Sequence, residues 1–137
     1  MTAGGALLNH GIVTRNRSRG RRRPNFVLTY VFPDGELEPI EFVIGEAEAT
    51  GFELRDAESL RLHYARTLRD WVVNLESNRE DAVAASGELV YRIWRLYMAG
   101  SAIAFEYGAI SVFQALLTPP ERPTTFGRRY LLAADEV

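Results

Sequence analysis

His10 and His63 are the two imidazoles of this 137-residue chain, and Tyr64 directly follows the second. An imidazole can donate or accept a hydrogen bond at either ring nitrogen, and it changes charge near neutral pH. A phenol adds one more O–H donor. Cysteine is absent, which excludes thiolate nucleophiles, disulfides and thiolate metal sites. Two histidines far apart in sequence cannot by themselves make a metal centre. His10 therefore stands out for its place. It follows the mostly apolar stretch Ala6-Leu7-Leu8-Asn9 and is expected near the end of a strand, where α/β folds put their ligand crevice. Composition alone favours a satisfied histidine at a strand end. Tyr64 heads an apolar stripe and by that spacing reads as core.

The elements that must hold these groups follow from pattern. Ala6 to Val13 is expected to be a short buried strand. Asp34-Gly35 marks a turn. Pro39 suits the first turn of a helix, where its missing N–H is not needed. Ile40, Val43, Ile44 and Ala47 continue at helical spacing, and Gly51 is placed to end that helix. Phe52 to Glu58 begins as an alternation and predicts a strand. Tyr64, Leu68, Trp71, Val72 and Leu75 mark one face of a long helix. Gly87 interrupts the pattern. Val90, Trp94, Tyr97, Met98, Ser101 and Phe105 continue it on a second helix that Gly108 ends. Ile110 to Leu117 predicts a last strand, stopped by Pro119-Pro120. The order strand, helix, strand, two helices, strand is α/β alternation around a small sheet. Trp71, Trp94, Tyr97, Phe105 and Phe113 either pack between helices and sheet, the reading their spacing favours, or line a channel for an acyl chain.

Length and composition fit one globular domain: 47% of residues are apolar and 25% charged. No apolar run is long enough to cross a bilayer, and no secretory leader is visible, so a cytoplasmic location is expected. All sixteen basic residues are arginine, a bias read as coding composition ahead of selection for bidentate contacts. Six of them, Arg15, Arg17, Arg19, Arg21, Arg22 and Arg23, form one run, and no acid precedes Asp34. A block of like charge is ordinarily a solvated loop. The sharper alternative is that Arg15 to Arg23 holds the chain to an anionic membrane surface, which would place it peripherally at the inner membrane. The run carries no aromatic for base stacking, so no nucleic-acid partner is expected.

Several segments in order carry a resemblance. They are His10-Gly11-Ile12, Tyr30-Val31-Phe32-Pro33-Asp34-Gly35, His63-Tyr64-Ala65-Arg66-Thr67-Leu68-Arg69-Asp70-Trp71 with Asn78-Arg79-Glu80, and Tyr91 to Leu117. Together, over roughly Ala6 to Leu117, they resemble the C-terminal part of the cyclopropane-fatty-acyl-phospholipid synthase family (mycolic acid cyclopropane synthase-like). The resemblance implies the C-terminal portion of a Rossmann-like class I fold for methyltransferases dependent on S-adenosylmethionine (SAM). Three strands with their helices are expected, the last strand running antiparallel between the other two. It also implies a partial methyltransferase domain over 1–117, with an Arg-rich loop at 14–24, and an irregular tail over 118–137.

The family transfers a methylene or methyl group from SAM to the double bond of an unsaturated acyl chain, often of a phospholipid. By that resemblance His10, Tyr64 and the Ile12 backbone help hold a bicarbonate ion that acts as base. Three N–H and O–H donors suit such an oxyanion. Ser101 stands where many family members have cysteine, a departure to which no role is assigned. The glycine-rich turn that seats SAM, the acid that binds its ribose and the glutamate that completes the bicarbonate site have no counterpart here. Gly4-Gly5 does not supply that turn. The expectation is a chain inactive alone, either the product of a truncated or frameshifted gene or one half of a split enzyme whose upstream half is a separate chain. The alternative is a non-catalytic remnant or a lipid- or partner-binding module. An upstream reading frame encoding the SAM half would favour the split enzyme.

Overall fold

A computed structural model describes residues 5–15 and 25–120. The Arg17 to Arg23 part of the basic run and the segment 121–137 lie outside the described residues. Three strands and five helices follow one another as β1 (Leu7–Thr14), α1 (Phe26–Tyr30), α2 (Ile40–Ala49), β2 (Glu53–Ser59), α3 (Arg61–Ser77), α4 (Arg79–Ser86), α5 (Glu88–Glu106) and β3 (Ile110–Thr118). The sheet order is β1-β3-β2, with β3 antiparallel to both neighbours. The α/β class and the inserted last strand are thus as the sequence implied. Among the described residues no helix is long and apolar enough to cross a membrane.

Local chemistry explains most element ends. The Asn25 side chain accepts from the Leu28 N–H at 3.0 Å and starts α1. Pro39, with φ −65° and ψ 153°, is the residue immediately before α2 and leads into it. At the other end of α2, the Thr50 hydroxyl donates to the Ala47 carbonyl at 2.8 Å, and Gly51 takes φ +91° to turn the chain out. Gly108, at φ +71°, performs the same turn after α5. There the Arg61 guanidinium donates through Nη1 to the carbonyls of Phe105 at 2.6 Å and Glu106 at 2.8 Å, satisfying acceptors that the end of a helix leaves without partners.

Helices α3 and α5 pack antiparallel. The direction follows from the pairs between them: Arg69 meets Glu106 and Glu76 meets Arg95. Their shared seam is the core: Ala65 and Leu68 from α3, Met98, Ala102 and Phe105 from α5, and Val112 from β3. Side chains alternate across a strand, so Val112 assigns one face of β3 to these helices and Phe113 and Ala115 to the other. That second face looks toward α2, where Ile40 and Val43 share a small cleft with Phe113, Ala115, Asn9 and Gly11.

Several expectations need correction. Strand β1 runs through Thr14, because its pairing with β3 continues unbroken from Leu7↔Leu117 to Thr14↔Ile110. His10 is therefore mid-strand, not terminal, and Thr14 belongs to the strand and not to the Arg-rich loop. Likewise Thr118 is fully buried and ends β3, so the tail does not begin there. Trp71 is 52% exposed and Trp94 44% exposed. Each stands at the flank of its apolar stripe, while smaller side chains fill the seam. Phe105 and Phe113 lie on opposite sides of the sheet, so the five aromatics do not line one channel.

Candidate functional site

The site grows out of the register of β1 on β3. His10 is the direct cross-strand partner of Gln114, as Ile12 is of Val112. Cross-strand partners share a face, so His10 and Gln114 stand on the face that carries Val112 and meets α3 and α5. Tyr64, in the first turn of α3, points its hydroxyl at the same place. His10 Nε2 lies 2.5 Å from the Tyr64 hydroxyl oxygen, and the two ring centroids are 5.6 Å apart at 42°. On the other side of the imidazole, Gln114 Nε2 lies 3.1 Å from His10 Nδ1.

Burial is graded across this chain of groups. His10 is exposed, Tyr64 and Gln114 are half-buried, and Phe105, against which the Tyr64 ring packs at 5.8 Å, is 2% exposed. The polar ends face solvent while the aromatic bodies are anchored in the core. Both sequence readings of Tyr64, core residue and polar group of a site, describe the same side chain, ring and hydroxyl respectively.

The Ile12 backbone adds a direction. At the end of β1 the Thr14 N–H goes outward to the Glu38 carbonyl at 3.2 Å, and the Arg15 N–H goes inward to Ala109 O at 3.3 Å. N–H groups of an antiparallel strand alternate in this way. The Ile12 N–H therefore points to the outer edge of β1, away from β3. His63, next to Tyr64, is exposed. Ser101 is buried in α5.

Two other features frame the site. A cleft of about 470 Å³ opens at the carboxyl ends of β1 and β2, lined by Thr14, Arg15, Ser59, Arg61, Glu106 and Ser111 among others. His10 and Tyr64 are not part of its wall. Beside it, Arg69 and Glu106 form a bidentate pair with N···O distances of 2.5 and 2.6 Å. The Arg69 hydrogen bond, and then its charge, hold the Glu106 carboxyl below the usual carboxylate range, and Glu106 in turn raises Arg69. Among the described residues no group of three or more His, Asp or Glu is placed to hold a metal ion.

Sequence reasoning singled out His10 and Tyr64, which the structure brings together, and missed Gln114. Its signal was a polar residue inside the otherwise apolar strand Ile110 to Leu117. The register that sets it against His10 is a tertiary fact.

Known proteins resemble this arrangement over most of its length. A probable fatty acid methyltransferase of Pseudomonas putida is 45% identical over 120 residues, covering 85% of this chain and 30% of that protein. Cyclopropane mycolic acid synthase 3 of Mycobacterium tuberculosis is 35% identical over 128 residues, covering 85% of this chain and 45% of that protein. Among solved structures, mycolic acid cyclopropane synthase CmaA1 complexed with SAH and CTAB superposes with a TM-score of 0.77 at 33% identity, covering 85% of this chain and 45% of that one. Cyclopropane synthase MmaA2 of Mycobacterium tuberculosis gives 0.75 at 34% identity, covering 83% and 44%. The chain thus spans less than half the length of these relatives. The sequence pattern of mycolic acid cyclopropane synthetases matches residues 1–115. With the inserted antiparallel strand and a match over most of its length, the chain belongs to the mycolic acid cyclopropane synthetase family.

Proposed function

We propose that this chain forms the base-holding side of a lipid-alkylating site, in which His10, Tyr64 and the Ile12 N–H hold a bicarbonate ion. The observation that carries the reading is the 2.5 Å contact between the His10 ring and the Tyr64 hydroxyl, made from different elements and open to solvent. The phenol O–H and the strand-edge N–H are donors of the kind that bind a small oxyanion, and the His10 ring, hydrogen-bonded to the phenol, orients it. Bicarbonate held there would supply the base for the proton lost when a methylated alkene closes a ring. The residues' own work is to orient that ion and to keep it fixed relative to the sheet.

The reaction class follows from the relatives, whose names are those of fatty acid methyltransferases and cyclopropane synthases. SAH in the CmaA1 structure supports SAM as their methyl donor. We assign that donor no seat among the described residues. The glycines at positive φ, Gly51, Gly87 and Gly108, all follow helices, and none forms the strand-to-helix turn on which a nucleotide-like group rests. The donor's chemistry is accordingly not assigned to these residues. An unsaturated acyl chain is the substrate class the family implies, and a SAM-binding half would complete the enzyme.

The test is binding of ¹³C-labelled bicarbonate to the purified chain, followed by NMR. Saturable binding that His10→Ala and Tyr64→Phe each weaken about tenfold or more, as expected for hydrogen bonds to a charged group, supports the reading. Equal binding by both variants, or none by the parent chain, removes it.

A further inference from the structure

Gln114 is a polar side chain of β3 that the site above does not require for contact with an anion. It stands directly across from His10 in the antiparallel register, and its amide nitrogen lies 3.1 Å from His10 Nδ1. An amide NH₂ only donates. A neutral imidazole carries its hydrogen on one nitrogen and a lone pair on the other, and the partner of one nitrogen decides the state of its opposite. Nδ1 accepting from Gln114 therefore puts the ring hydrogen on Nε2, 2.5 Å from the Tyr64 oxygen. The ring then donates to Tyr64, and the Tyr64 hydroxyl hydrogen is left over.

We infer that Gln114 is a positioning residue that locks His10 in its Nε2–H form and so frees the Tyr64 O–H to donate to a bound oxyanion. The opposite tautomer undoes this. With hydrogen on Nδ1, two N–H groups would face each other across the strands. The bare Nε2 would then consume the Tyr64 O–H, and the site would lose its phenol donor. The inference rests on the oxyanion reading for its consequence but not for the tautomer itself.

The experiment separates the two. In the ¹⁵N-labelled full chain, long-range ¹H–¹⁵N correlations report which ring nitrogen carries hydrogen, measured well above the ordinary imidazole value of about 6.5. His10→Ala assigns the signals, and the His63 ring is the internal control. The expected result is hydrogen on Nε2 of His10. Gln114→Glu keeps the length but only accepts, so it should move the hydrogen to Nδ1 while His63 stays unchanged. Gln114→Leu removes the bias and should give a mixture. Hydrogen on Nδ1 in the parent chain, or a tautomer that neither variant alters, overturns the assignment. In parallel, Gln114→Glu should weaken ¹³C-bicarbonate binding about tenfold or more. A parent chain with the Nε2–H ring that binds no bicarbonate would remove the oxyanion reading and leave the tautomer lock standing.

Discussion

Tyr64 and Phe105 meet ring to ring at a centroid distance of 5.8 Å and a tilt of 48°. This contact ties the solvent-facing hydroxyl of the site to the most deeply buried aromatic of the α3–α5 seam. Tilted aromatic pairs at this range gain from ring electrostatics as well as from burial. Phe105→Ala should open a cavity under Tyr64 and cost about 3–5 kcal/mol of unfolding free energy. Urea denaturation measures it, and a loss below about 1 kcal/mol would show that the seam does not depend on this ring.

Tyr64→Phe isolates the hydroxyl. The ring and its packing on Phe105 are kept, and the lost group lies at the solvent-facing end of the side chain. Stability should change by no more than about 1 kcal/mol, the net worth of an ordinary hydrogen bond, while oxyanion binding falls. A large loss of stability with unchanged binding would make the hydroxyl purely structural. Thermal denaturation of parent and variant side by side decides between them.

Much of the fold was legible because its signals were local. Gly51 and Gly108 stood at helix ends and both take positive φ. The apolar run before His10 announced a strand. What stayed hidden was set by pairing or by short length. Thr14 looked like the start of the basic loop, yet its place opposite Ile110 makes it strand. Helix α1 has five residues, too few to show a period. Helix α4 separates from α3 at Asn78 without any glycine or proline to mark the break. Trp71 fitted the stripe of α3 by spacing, but a stripe has flanks, and the sequence does not show where the neighbouring helix stops covering it. His10 and Tyr64 were found through their segments, whereas Gln114 needed the register.

The Arg69–Glu106 pair should make stability depend on acid. Glu106 is held below the ordinary carboxylate range chiefly by its hydrogen bond from Arg69. Its contribution is fully present above the unfolded value, about 4.3 for a glutamate, and is lost as pH falls through the lowered folded value. The raised Arg69 adds no dependence in this window, since an arginine stays protonated throughout. Glu106→Gln should flatten the decline of stability below about pH 5. The pair is solvent-accessible, so added salt should shrink the difference. Unfolding curves of parent and variant from neutral to acid pH check it, and parallel declines would rule the pair out as a contributor.

Two glycines, one just before α5 and one within it, should respond oppositely to alanine. Gly87, which precedes α5, has φ +84° and ψ 157°, a region that side chains with a Cβ scarcely enter. Although a Cβ there would meet no atom within 4 Å, the backbone itself resists, and Gly87→Ala should destabilise by about 1–3 kcal/mol. Gly100 lies within α5, and a Cβ at that position also meets nothing within 4 Å. There alanine fits the helical backbone and removes freedom from the unfolded chain, so Gly100→Ala should stabilise by about 0.5–1 kcal/mol. Space is equal at the two sites and only the backbone angle differs. If denaturation midpoints of both variants moved in the same direction, the turn between α4 and α5 would not have the conformation that requires glycine.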